Sequence, residues 1–187
     1  MTEIRISGFG GQGVIRMGYI IGKAASIYDN KFATLTQSFG PEARGSSCSA
    51  QVVVSEDQVL YPYITIPNIL VAMSQEGYSR FESNLSEDGM LLIDEDLVKP
   101  NPPRGRIKIY SIPSARISEE LGNKIIANIV MFGFFTVITG LITEEAARKA
   151  VANSVPQRLM DLNLKAFERG YKYGKEFLAK QEKSVNV

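Results

Sequence analysis

The chain has no histidine, no tryptophan and a single cysteine, Cys48. Without histidine it lacks the commonest general base and a common metal ligand. One thiol excludes an intrachain disulfide and falls short of the set that an iron–sulfur cluster takes. Charge of either sign is also not in excess: 21 Lys and Arg stand against 20 Asp and Glu in 187 residues, a formal net charge of +1. No basic surplus points to nucleic acid or to an anionic membrane surface. An apolar fraction of 44% is ordinary for a globular protein and too high for a disordered one. The opening MTEIRISGFGGQG places charges and then glycines where a signal peptide needs an apolar run, so the cytoplasm is the expected location. Composition by itself equips the chain poorly for redox or hydrolytic chemistry.

What is present is an alternation of strands and helices. Ile4 to Ser7 reads as a strand running into Gly8-Phe9-Gly10-Gly11-Gln12-Gly13. Val14 to Tyr28 reads as a helix, with Ile15, Tyr19, Gly22 and Ile27 toward one side. Further strands are expected at Phe32 to Gln37, Gln51 to Val54, Ile69 to Met73, Met90 to Ile93 and Arg106 to Ile112. Ser38 to Ser49 is a polar, glycine-rich loop, and a polar helix precedes about Leu85. Asp88-Gly89 marks a turn, and Pro100, Pro102, Pro103 and Gly105 mark a rigid loop.

From about residue 114 the chain reads as helical. Ile125 to Ile142 carries no formal charge and approaches the length of a membrane span. Asn128, Gly133, Thr136, Thr139 and Gly140 interrupt its apolar character, which favours a buried helix. Thr143 before Glu144 and Glu145 suits a helix start, because the hydroxyl accepts from free amides and the carboxylates face the positive dipole end. After Pro156, a stripe of Leu159, Leu162, Ala166, Phe167, Tyr171, Gly174, Phe177 and Leu178 recurs at helical spacing and must cover the sheet or a partner. The expected fold is α/β: one domain over residues 1–187, three layers, a mainly parallel sheet, a Rossmann-like start and a helical C-terminal third.

Gly8 to Gly13 satisfies G-x-G-x-x-G between a strand and a helix. Such glycines either let the backbone approach an anion at the helix start or simply let strand and helix pack. A dinucleotide fold wants an acid at the end of the second strand, but Asp29 precedes that strand and Gln37 and Ser38 end it. No P-loop run exists. The second loop offers Arg44, Gly45, Ser46 and Ser47, suited to phosphate or carboxylate, with a surface ion pair of Arg44 and Glu42 as the alternative. Asp94-Glu95-Asp96 reads as a solvated acidic turn rather than a Mg²⁺ site. Cys48 reads as a small buried or inert thiol rather than a reactive one beside Arg44.

GFGGQG, QSFGPEARGSSCSAQVVVSE at Gln37 to Glu56, and GNKIIANIVMFGFF at Gly122 to Phe135 together resemble the gamma component of 2-oxoacid:ferredoxin oxidoreductases. The wording SFGPEARG is most similar to the 2-oxoglutarate enzyme, with the pyruvate and branched-chain enzymes as close relatives. The resemblance implies a fold like domain III of pyruvate:ferredoxin oxidoreductase. It implies a non-catalytic subunit that works with alpha, beta and delta partners, which carry thiamine diphosphate, Mg²⁺ and 4Fe-4S clusters, and that serves ferredoxin or flavodoxin through the complex. It also implies a contact with coenzyme A. Carried onto this chain, the glycine cradle is Gly8, Phe9, Gly10, Gly11, Gln12 and Gly13, and the second wall is Arg44, Gly45, Ser46 and Ser47. Asn128 matches a family position, with buried hydrogen bonding as the structural alternative. No residue is assigned a catalytic role. The alternative from another class is a free-standing phosphate- or nucleotide-binding module.

Overall fold

The computed structural model describes residues 1–39 and 47–185. Six strands form one sheet: β1 (Thr2–Phe9), β2 (Phe32–Phe39), β3 (Ser47–Ser55), β4 (Ile69–Ala72), β5 (Met90–Asp94) and β6 (Lys108–Ile112), in the order β2-β3-β1-β4-β5-β6. Strands β1, β4, β5 and β6 pair in parallel. Strand β3 is antiparallel to both β1 and β2, so it alone runs against the rest. The expected parallel character therefore holds for most of the sheet. The exception arises because β2 and β3 follow each other as a hairpin, which can only pair antiparallel. β4, Ile-Leu-Val-Ala, is buried at every position, as a strand covered on both faces must be.

One face carries most of the helices: α1 (Val14–Lys23), α4 (Ala127–Thr139), α5 (Glu144–Ala152) and α6 (Met160–Val185). Their core joins Ile4, Ile6, Val52 and Val71 of the sheet to Met17, Ile21, Phe132 and Phe135. The other face is covered over β4 and β5 by α2 (Gln75–Phe81), where Leu70, Leu91 and Ile93 meet Tyr78 and Val98. A short α3 (Ser114–Glu120) follows β6.

The side of α1 that carries Tyr19 and Ile27 faces outward. Tyr19 and Ile27 are 51% and 62% exposed, whereas Met17, Ile20 and Ile21 are fully buried. The helix starts at Val14, and the spacing from Val14 through Met17, Gly18 and Ile21 selects the buried face. Ala24–Tyr28 continues the helix as a π-helical turn.

The uncharged segment becomes α4, buried around nearly its whole circumference. Among the described residues no helix is long and apolar enough to cross a membrane. The α6 stripe packs inward, with Ala166 and Phe167 fully buried and Leu162, Tyr171, Phe177 and Leu178 partly so. Helices α4 and α6 touch backbone to backbone: a Cβ at Gly133 would strike the Phe167 carbonyl, and one at Gly170 the Val130 carbonyl. Thr143 caps α5 as its sequence predicts, its Oγ1 accepting from the Ala146 amide at 3.2 Å.

Candidate functional site

Strand β1 ends in the glycine loop, and the loop is closed by its own side chain. Gln12 Oε1 accepts from the Phe9 amide at 2.7 Å, and Gln12 Nε2 donates to the Met73 carbonyl at 2.8 Å. The Gln12 amide itself donates to the Phe9 carbonyl at 3.1 Å. Gln12 thus braces the loop against the end of β4, and its polar atoms are spent internally. Gly8 lies buried under this brace, while Gly10 and Gly11 form the exposed tip. Gly13 is the N-cap of α1 with φ 75°, a left-handed conformation that swings the chain from strand into helix at little cost only for glycine. Asn128, 2% exposed on α4, holds that cap by donating to the Gly13 carbonyl at 3.1 Å. The polar residue singled out in an apolar segment therefore supports the loop from behind.

Helix α1 leaves β1 for one face of the sheet, and α2 leaves the adjacent β4 for the other. Where neighbouring parallel strands send their helices apart, a crevice opens at their carboxyl ends, and α/β proteins bind ligands there. A cavity of about 290 Å³ occupies this place. It is lined by Gly11 and Gln12 of the loop, by Met73, Leu97 and Ile125, and by Lys124 together with two acids, Asp94 and Glu119. Lys124 is paired with Glu119 at 3.0 Å and largely exposed. A larger groove of about 430 Å³ lies elsewhere, beside Tyr19, Lys23 and Leu35, and the glycine loop does not reach it.

The other candidates separate into groups. Arg44, Gly45 and Ser46 lie outside the described residues, as does the side chain of Ser47. The Ser47 backbone is paired with Phe9, which fixes the start of β3 beside the glycine loop. Asp29 is engaged far from the crevice, accepting from the Thr143 amide at 2.7 Å and its hydroxyl at 2.6 Å. Asp94 is fully buried and anchors α3, accepting from Ser114 Oγ at 2.5 Å and the Ala115 amide at 2.7 Å. Glu95 and Asp96 both pair with Arg116 at 3.0 Å. Burial pushes the Cys48 thiol up, away from the reactive thiolate. Sequence reasoning missed Lys124, Ile125 and Met73: the first two stand in the GNKIIANIVMFGFF stretch without being singled out, and only the fold brings all three beside the glycine loop.

A family model described as pyruvate ferredoxin/flavodoxin oxidoreductase matches residues 3–173. The chain belongs to this family. Within the oxidoreductase family it is 46% identical to the 2-oxoglutarate synthase subunit KorC of Methanocaldococcus jannaschii, over 93% of this chain and 94% of that one. It is 30% identical to the ketoisovalerate oxidoreductase subunit VorA of Methanothermobacter thermautotrophicus, over 94% of this chain but only 37% of that longer polypeptide. The fold matches the crystal structure of a keto/oxoacid ferredoxin oxidoreductase gamma subunit from Geobacter sulfurreducens, with a TM-score of 0.83 and 40% identity over 94% of this chain and 99% of that one.

Proposed function

We propose that this chain is the gamma-type subunit of a 2-oxoglutarate:ferredoxin oxidoreductase, and that its glycine-loop crevice receives part of coenzyme A. The overall reaction converts 2-oxoglutarate, coenzyme A and oxidised acceptor to succinyl-CoA, CO₂ and reduced acceptor. Identity to KorC across nearly both full lengths favours 2-oxoglutarate over the branched-chain acid of VorA. The observation that carries the coenzyme A reading is the exposed Gly10-Gly11 tip beside a cavity at the sheet's switch point.

This chain's residues suit binding and positioning. The loop tip admits close approach of a diphosphate, and the start of α1 adds a positive dipole end. Met73, Leu97 and Ile125 offer apolar walls to a pantetheine arm, and Lys124 is the cation lining the crevice. The same residues do not suit the redox groups. A single buried cysteine cannot ligate a cluster, and the acidic turn is committed to Arg116 and to α3. Thiamine diphosphate, metal and clusters are assigned to partner subunits as the family resemblance implies, and no proton transfer is assigned to any side chain here.

The test is a purified complex carrying Gly10→Asp, which places a carboxylate where the diphosphate would lie. The expected result is a KM for coenzyme A raised at least about tenfold, a cost of about 1.4 kcal/mol, with the KM for 2-oxoglutarate unchanged. An unaltered coenzyme A saturation curve in a correctly assembled complex would refute the cradle. Turnover by the isolated chain would refute the accessory role.

A further inference from the structure

Strand β1 pairs with β4 in parallel as far as Ser7 and Ala72, and the Met73 amide adds one more bond by donating to the Ser7 carbonyl at 2.8 Å. In an evenly spaced parallel ladder the next bond would run from the Phe9 amide to the Met73 carbonyl. Gln12 stands between these two groups. Its Oε1 takes the Phe9 amide at 2.7 Å, and its Nε2 serves the Met73 carbonyl at 2.8 Å. The Phe9 carbonyl is taken by the Gln12 backbone amide at 3.1 Å. One residue thus replaces the next rung of the ladder, and the two strand ends are held apart by the width of a carboxamide.

The surroundings make room for this insertion. A Cβ on Gly8 would stand 2.5 Å from Gln12 Oε1, so glycine there leaves the space the carboxamide fills. Beyond the inserted group the two chains diverge. Gly13 turns the loop into α1, while Met73 leads to Ser74, whose Oγ accepts from the Gly77 amide at 3.1 Å and caps α2. Gln12 and Met73 both line the crevice that opens between them.

We propose that the Gln12 carboxamide is a wedge that sets the width of the crevice, which makes Gln12 a positioning residue for the ligand received there. The inference rests on the coenzyme A reading above and deepens it by assigning what holds that site open. The wedge has a strict chemistry. An amide N–H can only donate and a carbonyl can only accept, so the group between Phe9 and Met73 must accept at one end and donate at the other. Asparagine carries the same group on a shorter arm and cannot reach both. Glutamate has the reach but, once ionised, offers only acceptors; it keeps the Phe9 amide and sets an oxygen against the Met73 carbonyl.

The experiment uses the complex assembled from this chain and its partner subunits. Gln12→Asn and Gln12→Glu should each raise the KM for coenzyme A at least about fivefold, the worth of one hydrogen bond. The kcat at saturation and the KM for 2-oxoglutarate should hold. Gln12→Glu carries a readout that loss of stability would not move. On acidification its carboxyl gains a proton and a donor, so its KM for coenzyme A, taken as a ratio to wild type at each pH, should fall back toward one. The ratio cancels groups common to both proteins, among them Asp94, Glu119 and Lys124 at the crevice. Gly170→Ala, which forces α4 from α6 away from the loop, should lower stability and leave the coenzyme A curve in place. An unshifted curve in both Gln12 variants, a ratio for Gln12→Glu that ignores pH, or an equal rise in Gly170→Ala would each overturn the wedge. If Gly10→Asp raises the KM for coenzyme A and the Gln12 variants do not, the cradle stands and the wedge falls. If none of the three raises it, the coenzyme A reading falls as well.

Discussion

Asn128 Nδ2 reaches the Gly13 carbonyl at 3.1 Å and ties the start of the long apolar segment to the start of α1, 115 positions earlier. Two constraints meet at Gly13. Its φ of 75° suits glycine, and a Cβ there would run into the Asn128 side chain. The loop that approaches the crevice is thus shaped by a residue that does not line it. Asn128→Ala should lower stability by about 1–2 kcal/mol, and no more, because the Gly13 carbonyl keeps its bond from Met17. Asn128→Asp should cost more, since it buries a charge and sets two acceptors against each other. A urea titration with unchanged slope and shifted midpoint reads both.

Two glycine-to-alanine substitutions should move stability in opposite directions. At Gly170 the added methyl meets the Val130 carbonyl, so α4 and α6 must separate. Overpacking of this kind costs about 2–3 kcal/mol. At Gly22, within α1, a methyl meets nothing within 4 Å and the backbone is already helical. Alanine there should stabilise by about 0.5–1 kcal/mol through its higher helix propensity. Thermal or urea unfolding of the two variants side by side decides the signs.

How far these relationships could be read from the chain depends on their range. The strand–glycine–helix start, the Thr143 cap and the α6 stripe are local patterns, and spacing alone exposes them. The β2–β3 hairpin's reversal of direction was not legible, because strand pairing is a choice among distant partners. Which side of α1 turns inward is not legible for a similar reason: both sides carry large side chains, and packing against the sheet selects Met17 and Ile21. At the crevice, the glycines are visible in the sequence, whereas Met73 carries no motif, and Lys124, although inside the GNKIIANIVMFGFF stretch, is not marked there as a site residue because only the fold brings it to the loop. Gln12 reads from the sequence as part of a cradle, and in the fold its side chain is the loop's internal brace.

Glu144 gives a pH-dependent prediction. A hydrogen bond from Tyr171, aided by Arg148, holds its carboxyl below the ordinary 4.5. A carboxylate whose pKa is lower in the folded state stabilises the fold above its unfolded value and loses that contribution as pH falls through the folded one. The side chain is 38% exposed, so the effect is small and screened by salt. Glu144→Gln should therefore be less stable than wild type at neutral pH. The gap should narrow as pH drops below about 4.5. Unfolding midpoints of both proteins across this range, at low and high salt, test the sign.

The glycine loop can be asked whether it touches coenzyme A or merely packs. Gly8 and Gly11 answer differently. A methyl on Gly8 would press on the Gln12 brace and on Val14, so Gly8→Ala is a folding variant. Gly11 has φ 97° with open space around it, and it lines the crevice. Alanine there costs about 1–2 kcal/mol of backbone strain, without a clash. If the loop tip meets a diphosphate, that methyl stands between backbone and ligand. Gly11→Ala in the assembled complex should then raise the KM for coenzyme A several-fold while kcat at saturation and the KM for 2-oxoglutarate hold. A tip that only packs predicts the same loss of stability with an unshifted coenzyme A curve. Measuring stability and saturation on one preparation separates these outcomes, because the strain is common to both and the change in KM belongs to one alone.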